Sequence, residues 1–368
     1  MKIESIEYRD FRNIEEGKLV LADGLNLLIG ENAAGKTSAL EGCYLFAAGR
    51  SHRTAREKDL IRDGAPFAEL RLRFYDAGQG RSRQMQLRYL PYGRDRSRKQ
   101  WLRDGIPISK LSECIGIFRA VLFCPGHLGI VGGGPGERRT FLDGAISQID
   151  RRHIAELQNY RRLLNQRNEL LGCYHTDRRQ FSETIELWSR LLAESGEKVA
   201  SRRAEYCVEL EKEVAAILRD MSGGREKIEL QYKKPATAKE LFASLMSNHE
   251  REAKMGGTLY GPHRDDIEIR LDGKSAREFG SQGQQRSIAV AMKLAEGALS
   301  RAAYGEYPVF LLDDILSELD ENRQRYLLDG IRDRQVLLTV PSGGLSDALR
   351  QSAAACFRVE QGLFAEAF

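Results

Sequence analysis

Residues Gly30-Glu31-Asn32-Ala33-Ala34-Gly35-Lys36-Thr37 carry the spacing GxxxxGK[ST], and each position has a chemical reason. Glycines let such a loop curl until its backbone N–H groups converge on phosphate oxygens. Lys36 then brings a positive charge to the β and γ oxygens, and the Thr37 hydroxyl can ligate Mg2+. The expected cofactors are ATP and Mg2+. Far along the chain, Tyr307-Pro308-Val309-Phe310-Leu311-Leu312-Asp313-Asp314 ends an apolar run in two carboxylates. Laid beside the phosphate-loop strand, that run would aim Asp313 at the metal and its waters. Asp314, one step on, would reach an attacking water as general base. Taken alone, the two aspartates could simply cap the following turn; paired with a phosphate loop, the catalytic assignment to Lys36, Asp313 and Asp314 is the stronger.

These side chains need elements to hold them. Gly24-Leu25-Asn26-Leu27-Leu28-Ile29 is a near-continuous apolar run of the buried-strand type, and Leu40, Cys43, Tyr44 and Ala47 mark an amphipathic helix after the loop. Lys2 to Glu7, Ala68 to Tyr75 and Gln84 to Leu90 alternate as strands of a meander, with Asp104-Gly105 as a turn. From about Pro135 the texture becomes helical. Leu157, Tyr160, Leu164 and Leu171 recur at helix spacing, and helices continue into Leu241–Met246 without sustained heptads. Strand texture returns at Ile267–Leu271, followed by a helix over 284–303 and the strand Val309–Leu312. The expected fold is α/β, with residues 1–135 and 255–368 forming one domain and 136–254 a helical lobe inserted into it.

Composition limits the alternatives. The chain has 368 residues, 42% hydrophobic and 30% charged, with a net charge of +4, so charge alone names no partner. Mean hydropathy is −0.45, and no apolar run approaches the roughly 18 residues of a membrane span. The acidic start, Met1-Lys2-Ile3-Glu4-Ser5-Ile6-Glu7, does not read as a signal peptide. Six cysteines are scattered with no CxxC pair, which suits a reducing cytoplasm better than a disulfide framework or a zinc site.

Two further motifs narrow the class. Ser281-Gln282-Gly283-Gln284-Gln285-Arg286 heads the long helix, where a serine and exposed backbone N–H groups make a second anion site contributed by Ser281, Gly283 and Gln284. This resembles the signature of ABC ATPases, and Ser317-Glu318-Leu319-Asp320 resembles their D-loop. An ABC transporter subunit would place a His after the next strand; here Gln335-Val336-Leu337-Leu338 leads to Thr339, so slow turnover is expected.

Across essentially its whole length the chain resembles the RecF family of SMC-like ABC ATPases. The likeness rests on Asp10-Phe11-Arg12-Asn13, Ser51-His52-Arg53-Thr54, Pro135-Gly136-Glu137-Arg138-Arg139-Thr140-Phe141-Leu142-Asp143, Gln166-Arg167-Asn168 and Gly261-Pro262-His263-Arg264-Asp265-Asp266, together with the signature and Asp-Asp segments above. The family usually has two acids after Phe-Ser-Pro. This chain has Phe123-Cys124-Pro125-Gly126-His127-Leu128, so no role for those acids carries over. The resemblance implies an ABC-type ATPase head (a P-loop core plus an antiparallel meander) with a helical lobe and no long coiled coil. It implies an ATP-dependent homodimer, DNA binding by that dimer, and weak DNA-dependent ATPase activity. It also implies cooperation with RecO and RecR in loading RecA at gaps, and support of the SOS response.

Arg81, Arg83, Arg88, Arg94, Arg96, Arg98, Lys99 and Arg103 crowd one stretch against a single acid, Asp95, with Tyr89, Tyr92 and Trp101 interleaved. A basic, aromatic hairpin could follow a nucleic-acid backbone, with Arg94, Arg96, Arg98 and Lys99 as the expected contacts; it could equally be a solvated face. Arg151-Arg152, Arg161-Arg162, Arg167 and Arg178-Arg179 offer a second candidate surface. No base-reading motif is present, so binding should be backbone-dominated. His263 lacks metal-ligand companions and reads as a structural hydrogen-bonding residue. The rival reading is a P-loop ATPase or kinase of a process without DNA, its basic patches being only solvated surface.

Overall fold

Alternating and continuous apolar runs call for sheets at the two ends of the chain and helices between them, and this is how the chain folds. A computed structural model, describing residues 1–92, 96–232 and 236–367, divides into one unit of Met1–Leu128 with Arg286–Phe368 and a second of Gly129–Gln285. In chain order the elements begin with β1 (Lys2–Phe11), β2 (Ile14–Val20), β3 (Leu25–Gly30), α1 (Lys36–Ala48), β4 (Ala68–Asp76), β5 (Arg81–Tyr92), β6 (Arg96–Arg103), β7 (Ile106–Ile108), α2 (Leu111–Cys114) and β8 (Ala120–Phe123). There follow α3 (Gly129–Gly132), α4 (Pro135–Ile149), α5 (Arg151–Gly172), α6 (Arg178–Ser222), β9 (Ile228–Tyr232), α7 (Ala238–Met255), β10 (Ile267–Leu271), β11 (Lys274–Ser275), α8 (Ala276–Phe279) and α9 (Gln282–Tyr304). The chain continues through β12 (Val309–Leu312), α10 (Glu321–Gly330), β13 (Val336–Pro341), α11 (Asp347–Ser352), β14 (Ala353–Glu360) and β15 (Leu363–Glu366).

The first unit holds two six-stranded sheets. One is an antiparallel meander in the order β2-β1-β4-β5-β6-β7. Its β6–β7 turn is Asp104-Gly105, both at positive φ (51° and 81°), the pairing a two-residue hairpin favours. The other sheet runs β15-β14-β3-β13-β12-β8, parallel except for β15. Strand β3 is interior to it, which explains its unbroken apolar run: both faces are covered. Helix α1 packs against β1 and β4 of one sheet and β3, β8, β12 and β13 of the other. The amphipathic helix expected there is therefore corrected. With a sheet on each side, α1 buries ten of its 13 residues and has no broad solvent face.

In the second unit, α4 opens with Pro135 at its start, α5 is capped by the Asp150 side chain, and α7 by a reciprocal Thr237–Glu240 capping box. Helix α6 is one element of 45 residues, about 67 Å at 1.5 Å per residue, longer than consecutive short helices would suggest. Ile185, Leu192, Val199 and Tyr206 form its buried seam at seven-residue steps. A three-stranded sheet, β11-β10-β9, completes the unit. The pairing of Ile267 with Tyr232 draws β10 into this unit, so its boundary falls at Gln285 and not at residue 254 as the texture suggested.

Several family-motif residues prove to be internal braces of this second unit. Arg167 is fully buried, donating to Glu252 Oε2 (2.6 Å), Thr258 Oγ1 (2.8 Å) and Ser189 Oγ (2.9 Å). That corrects its assignment to a nucleic-acid surface: no unpaired arginine survives such burial. Arg203 makes a two-pronged bond to Asp143 (2.8 and 2.9 Å), and Arg138 does the same with Asp266. His263 bonds Tyr160 Oη (2.6 Å) and the Thr258 carbonyl (3.0 Å), the structural role expected of it.

Candidate active site

The phosphate loop leaves the sheet where β3 ends. At Gly30 a Cβ would lie 2.2 Å from the Val359 carbonyl oxygen, so only glycine lets β14 pass this closely. At Gly35, φ of 118° rules out other residues before α1 starts. Ala33 also sits at positive φ (63°), steadied by Asn13, whose Nδ2 donates to the Ala33 carbonyl (3.1 Å) while its Oδ1 accepts from Ser38 Oγ (2.9 Å). From the far side, the Gly362 N–H donates to the Ala34 carbonyl (2.8 Å). Lys36 curls over the loop and donates to the carbonyls of Gly30 (2.5 Å) and Glu31 (2.8 Å). Burial lowers its pKa, opposed by Asp314, Asp313 and Glu31.

Sheet order corrects one expectation. Strand β12 does not lie beside β3, because β13 runs between them. The carboxylates still reach the loop. Thr37 Oγ1 donates to Asp313 Oδ1 at 3.0 Å, and Thr339 of the intervening β13 donates to the same oxygen at 3.1 Å. Asp313 is buried, and burial pushes its carboxyl up, against the hydroxyl bonds of Thr37 and Thr339 and the charge of Arg53. Asp314 is exposed at φ 48°, with its N–H donating to Thr339 Oγ1 (2.8 Å) and its Oδ1 accepting from Ser317 Oγ (3.2 Å).

A cleft of about 650 Å3, within the usual range of about 300–1,000 Å3 for small-molecule sites, is lined by Arg12, Lys36, Thr37, Arg53, Asp314 and Thr339 among others. Two of these cations, Arg12 and Arg53, belong to the segments Asp10-Phe11-Arg12-Asn13 and Ser51-His52-Arg53-Thr54. The fold gives them a common anchor, the buried Glu41 of α1. Arg12 Nε and Nη2 donate to its two oxygens at 2.9 and 2.7 Å, and Arg53 Nη1 at 3.3 Å. No local signal could have found this, since Glu41 sits inside a helix of apolar neighbours.

The donor set suits Mg2+. Thr37 and Asp313 offer hard oxygens within one hydrogen bond of each other, and among the described residues the buried carboxylate makes no salt bridge. Among the described residues no group of three or more His, Cys, Asp or Glu could hold an ion. A metal held by Thr37 and Asp313 would take its remaining ligands from phosphate oxygens and water, the usual mode for Mg2+.

Ser281 lies in the other unit, exposed at the head of α9. Its Oγ accepts from the Gln284 N–H (3.2 Å), and Gln284 Oε1 accepts in return from the Ser281 N–H (2.9 Å), so it is a helix cap. The Gln284 amide also donates to Glu226 (2.9 Å). Of the expected nucleic-acid contacts, Arg94 lies outside the described residues, Arg96 opens β6, and Arg98 is exposed. Lys99 is a correction: it pairs with Glu57 and donates to the Gly49 carbonyl (2.9 Å), which makes it a brace. Arg88 is likewise tied to Glu69, and the buried Arg83 to Asp76.

Known proteins resemble this chain in sequence and fold. A model of the AAA ATPase domain matches residues 1–73. The DNA replication and repair protein RecF of Agathobacter rectalis is 37% identical over 342 residues, 92% of each chain. A solved structure of the recombination mediator protein RecF-ATPrS in the RecFOR pathway superposes with a TM-score of 0.90 at 28% identity, covering 100% of this chain and 98% of that one. An Smc head bound to the C-winged helix domain of ScpA gives 0.58 at 17% identity over 100% and 97% of the chains, a likeness of fold alone. The fold is that of an ABC-type ATPase head.

Proposed function

This chain belongs to the RecF family of DNA replication and repair proteins, and from that premise we propose that it is an ATP-driven, DNA-binding switch of recombinational repair. The observation that carries the reading is the 3.0 Å bond from Thr37 to Asp313, which joins the phosphate loop to the carboxylate strand across 276 residues. The loop N–H groups and Lys36 bind the nucleotide phosphates, with Arg12 and Arg53 adding positive charge along the cleft. Thr37 and Asp313 would hold Mg2+, which when bound would supply charge neutralisation to the phosphates. Asp314 orients the attacking water and takes its proton.

In this reading Ser281, with Gly283 and Gln284, completes the site of a second copy, so that ATP joins two chains and ADP does not. The dimer clamps DNA through phosphate contacts, with the β5–β6 hairpin as the candidate surface. Hydrolysis is slow and DNA-stimulated. As its family implies, the protein acts with RecO and RecR to help load RecA at gaps and supports the SOS response. No helix among the described residues is long and apolar enough to cross a membrane. The test is ATP hydrolysis at low salt with and without duplex DNA, beside Lys36→Ala. DNA should raise the parent rate, and the variant should lose most nucleotide affinity by calorimetry. DNA-independent turnover of a small metabolite, or unchanged nucleotide binding by Lys36→Ala, would overturn the reading.

A further inference from the structure

Thr339 lines the cleft beside the phosphate loop, and its hydroxyl is committed to the two carboxylate residues. It is buried in β13, the strand between the phosphate-loop strand and the carboxylate strand. A hydroxyl has one proton to donate and lone pairs to accept with. Here the proton goes to Asp313 Oδ1 (3.1 Å), and a lone pair takes the Asp314 N–H (2.8 Å). Both directions of the rotor are thereby fixed.

Each bond has a consequence for the carboxylate it touches. Asp313 Oδ1 receives Thr37 and Thr339 together, which fixes the plane of the carboxylate and leaves Oδ2 without a hydrogen bond among the described residues. Asp314 adopts φ of 48°, a conformation unfavourable for a residue with a Cβ, and its N–H bond to Thr339 holds it there. That turn sends the Asp314 side chain to the exposed side, where it lines the cleft. We propose that Thr339 is the positioning residue for both carboxylates, setting the plane of Asp313 and the backbone turn of Asp314 through one hydroxyl. The inference rests on the nucleotide-site reading above.

The test uses the full-length protein with Thr339→Val, which keeps the shape and removes the hydroxyl, and Thr339→Ser, which keeps the hydroxyl. Three quantities are measured: ATP affinity by calorimetry without Mg2+, the gain in affinity on adding Mg2+, and kcat and KM for hydrolysis. The phosphate loop is untouched, so Thr339→Val should bind ATP without Mg2+ within about twofold of the parent. Its Mg2+-dependent gain should shrink roughly tenfold, and kcat should fall by about ten- to hundredfold with little change in KM, as for loss of a hydrogen bond to a charged group. Thr339→Ser should recover both quantities to within about threefold. If Thr339→Val does not fold, Thr339→Cys, which matches serine in shape but has only a weak donor, carries the same comparison against Thr339→Ser. Parental kcat and Mg2+ response in the hydroxyl-free variant, or equal damage in Thr339→Ser, would overturn the inference while leaving the nucleotide reading intact. A parent that binds no nucleotide with Mg2+ would overturn both.

Discussion

Replacing Glu41 by glutamine measures how far the cleft depends on one buried carboxylate. Glu41 accepts from Arg12 Nε and Nη2 at 2.9 and 2.7 Å, from Arg53 at 3.3 Å and from Ser51 Oγ. Burial pushes its carboxyl up, but the bonds from Arg12 and Ser51 and the charges of Arg12 and Arg53 outweigh that and hold it below the ordinary value. Breaking a buried ion pair from one side costs about 3–5 kcal/mol, since the partner charge stays behind. Arg12 keeps 16% of its side chain in solvent and retains a bond to the Asp59 carbonyl (3.0 Å). The lower end, about 3 kcal/mol, therefore applies to Glu41→Gln. For a unit of this size that is a fall in Tm of roughly 6–12 °C, read by thermal unfolding at pH 7. A depressed folded pKa stabilises above the unfolded carboxyl value, about 4.5, and the benefit disappears as pH falls through the folded value. Parent and variant should thus differ most at neutral pH, the difference shrinking as pH falls below about 4.5 and vanishing only below the depressed folded value. A difference under about 2 °C at pH 7, or one that persists unchanged in acid, would refute the reasoning.

Asp314→Asn should keep ATP binding while cutting hydrolysis by about 10²-fold or more, the scale of losing a general base; hydrolysis at the parent rate would remove that assignment. Ser281→Arg should bind ATP like the parent yet fail to dimerise with it, as light scattering in ATP and ADP would show. Mixed with Lys36→Ala chains it should regain activity, because each mixed dimer gathers both defects in one composite site and leaves the other whole. Exchanging Arg94, Arg96 and Arg98 for Glu should weaken DNA binding alike across sequences and flatten its salt dependence; an unchanged salt slope would move the contact surface to the helical unit.

What the sequence made legible was local. The phosphate loop, the strand ending in Asp313-Asp314, the Asp104-Gly105 turn and the helices from Pro135 all follow from rules that act within a few residues. What it hid were partners brought together by strand order. Nothing near Lys99 in the sequence names Glu57, and nothing near Asp313 names Thr339; both depend on which strands become neighbours. The same limit explains α1. Its residues looked one-sided because a single helix can be assigned only one buried face from its own spacing, whereas here a sheet covers each side. Arginines are ambiguous for a related reason: a guanidinium looks identical in sequence whether water or a carboxylate answers it, as the exposed Arg98 and the buried Arg167 show.

The interior place of β3 has a consequence for how the protein is made. Its two neighbours, β13 and β14, are encoded some three hundred residues downstream, and the Gly362 N–H that supports the loop comes later still. At about 5–20 residues per second, a ribosome takes roughly 15–60 s to supply them after the loop has been synthesised. Through that interval β3 has neither of the strands that flank it in the finished sheet, so the nascent chain carries an apolar strand with two open edges, the kind of surface that seeks wrong partners. A stalled or clipped product would contain the entire phosphate-loop motif and still lack a sheet to hold it. Retention of nucleotide is thereby tied to strands made long after the loop itself, and it reports that β13 and β14 have taken their places beside β3.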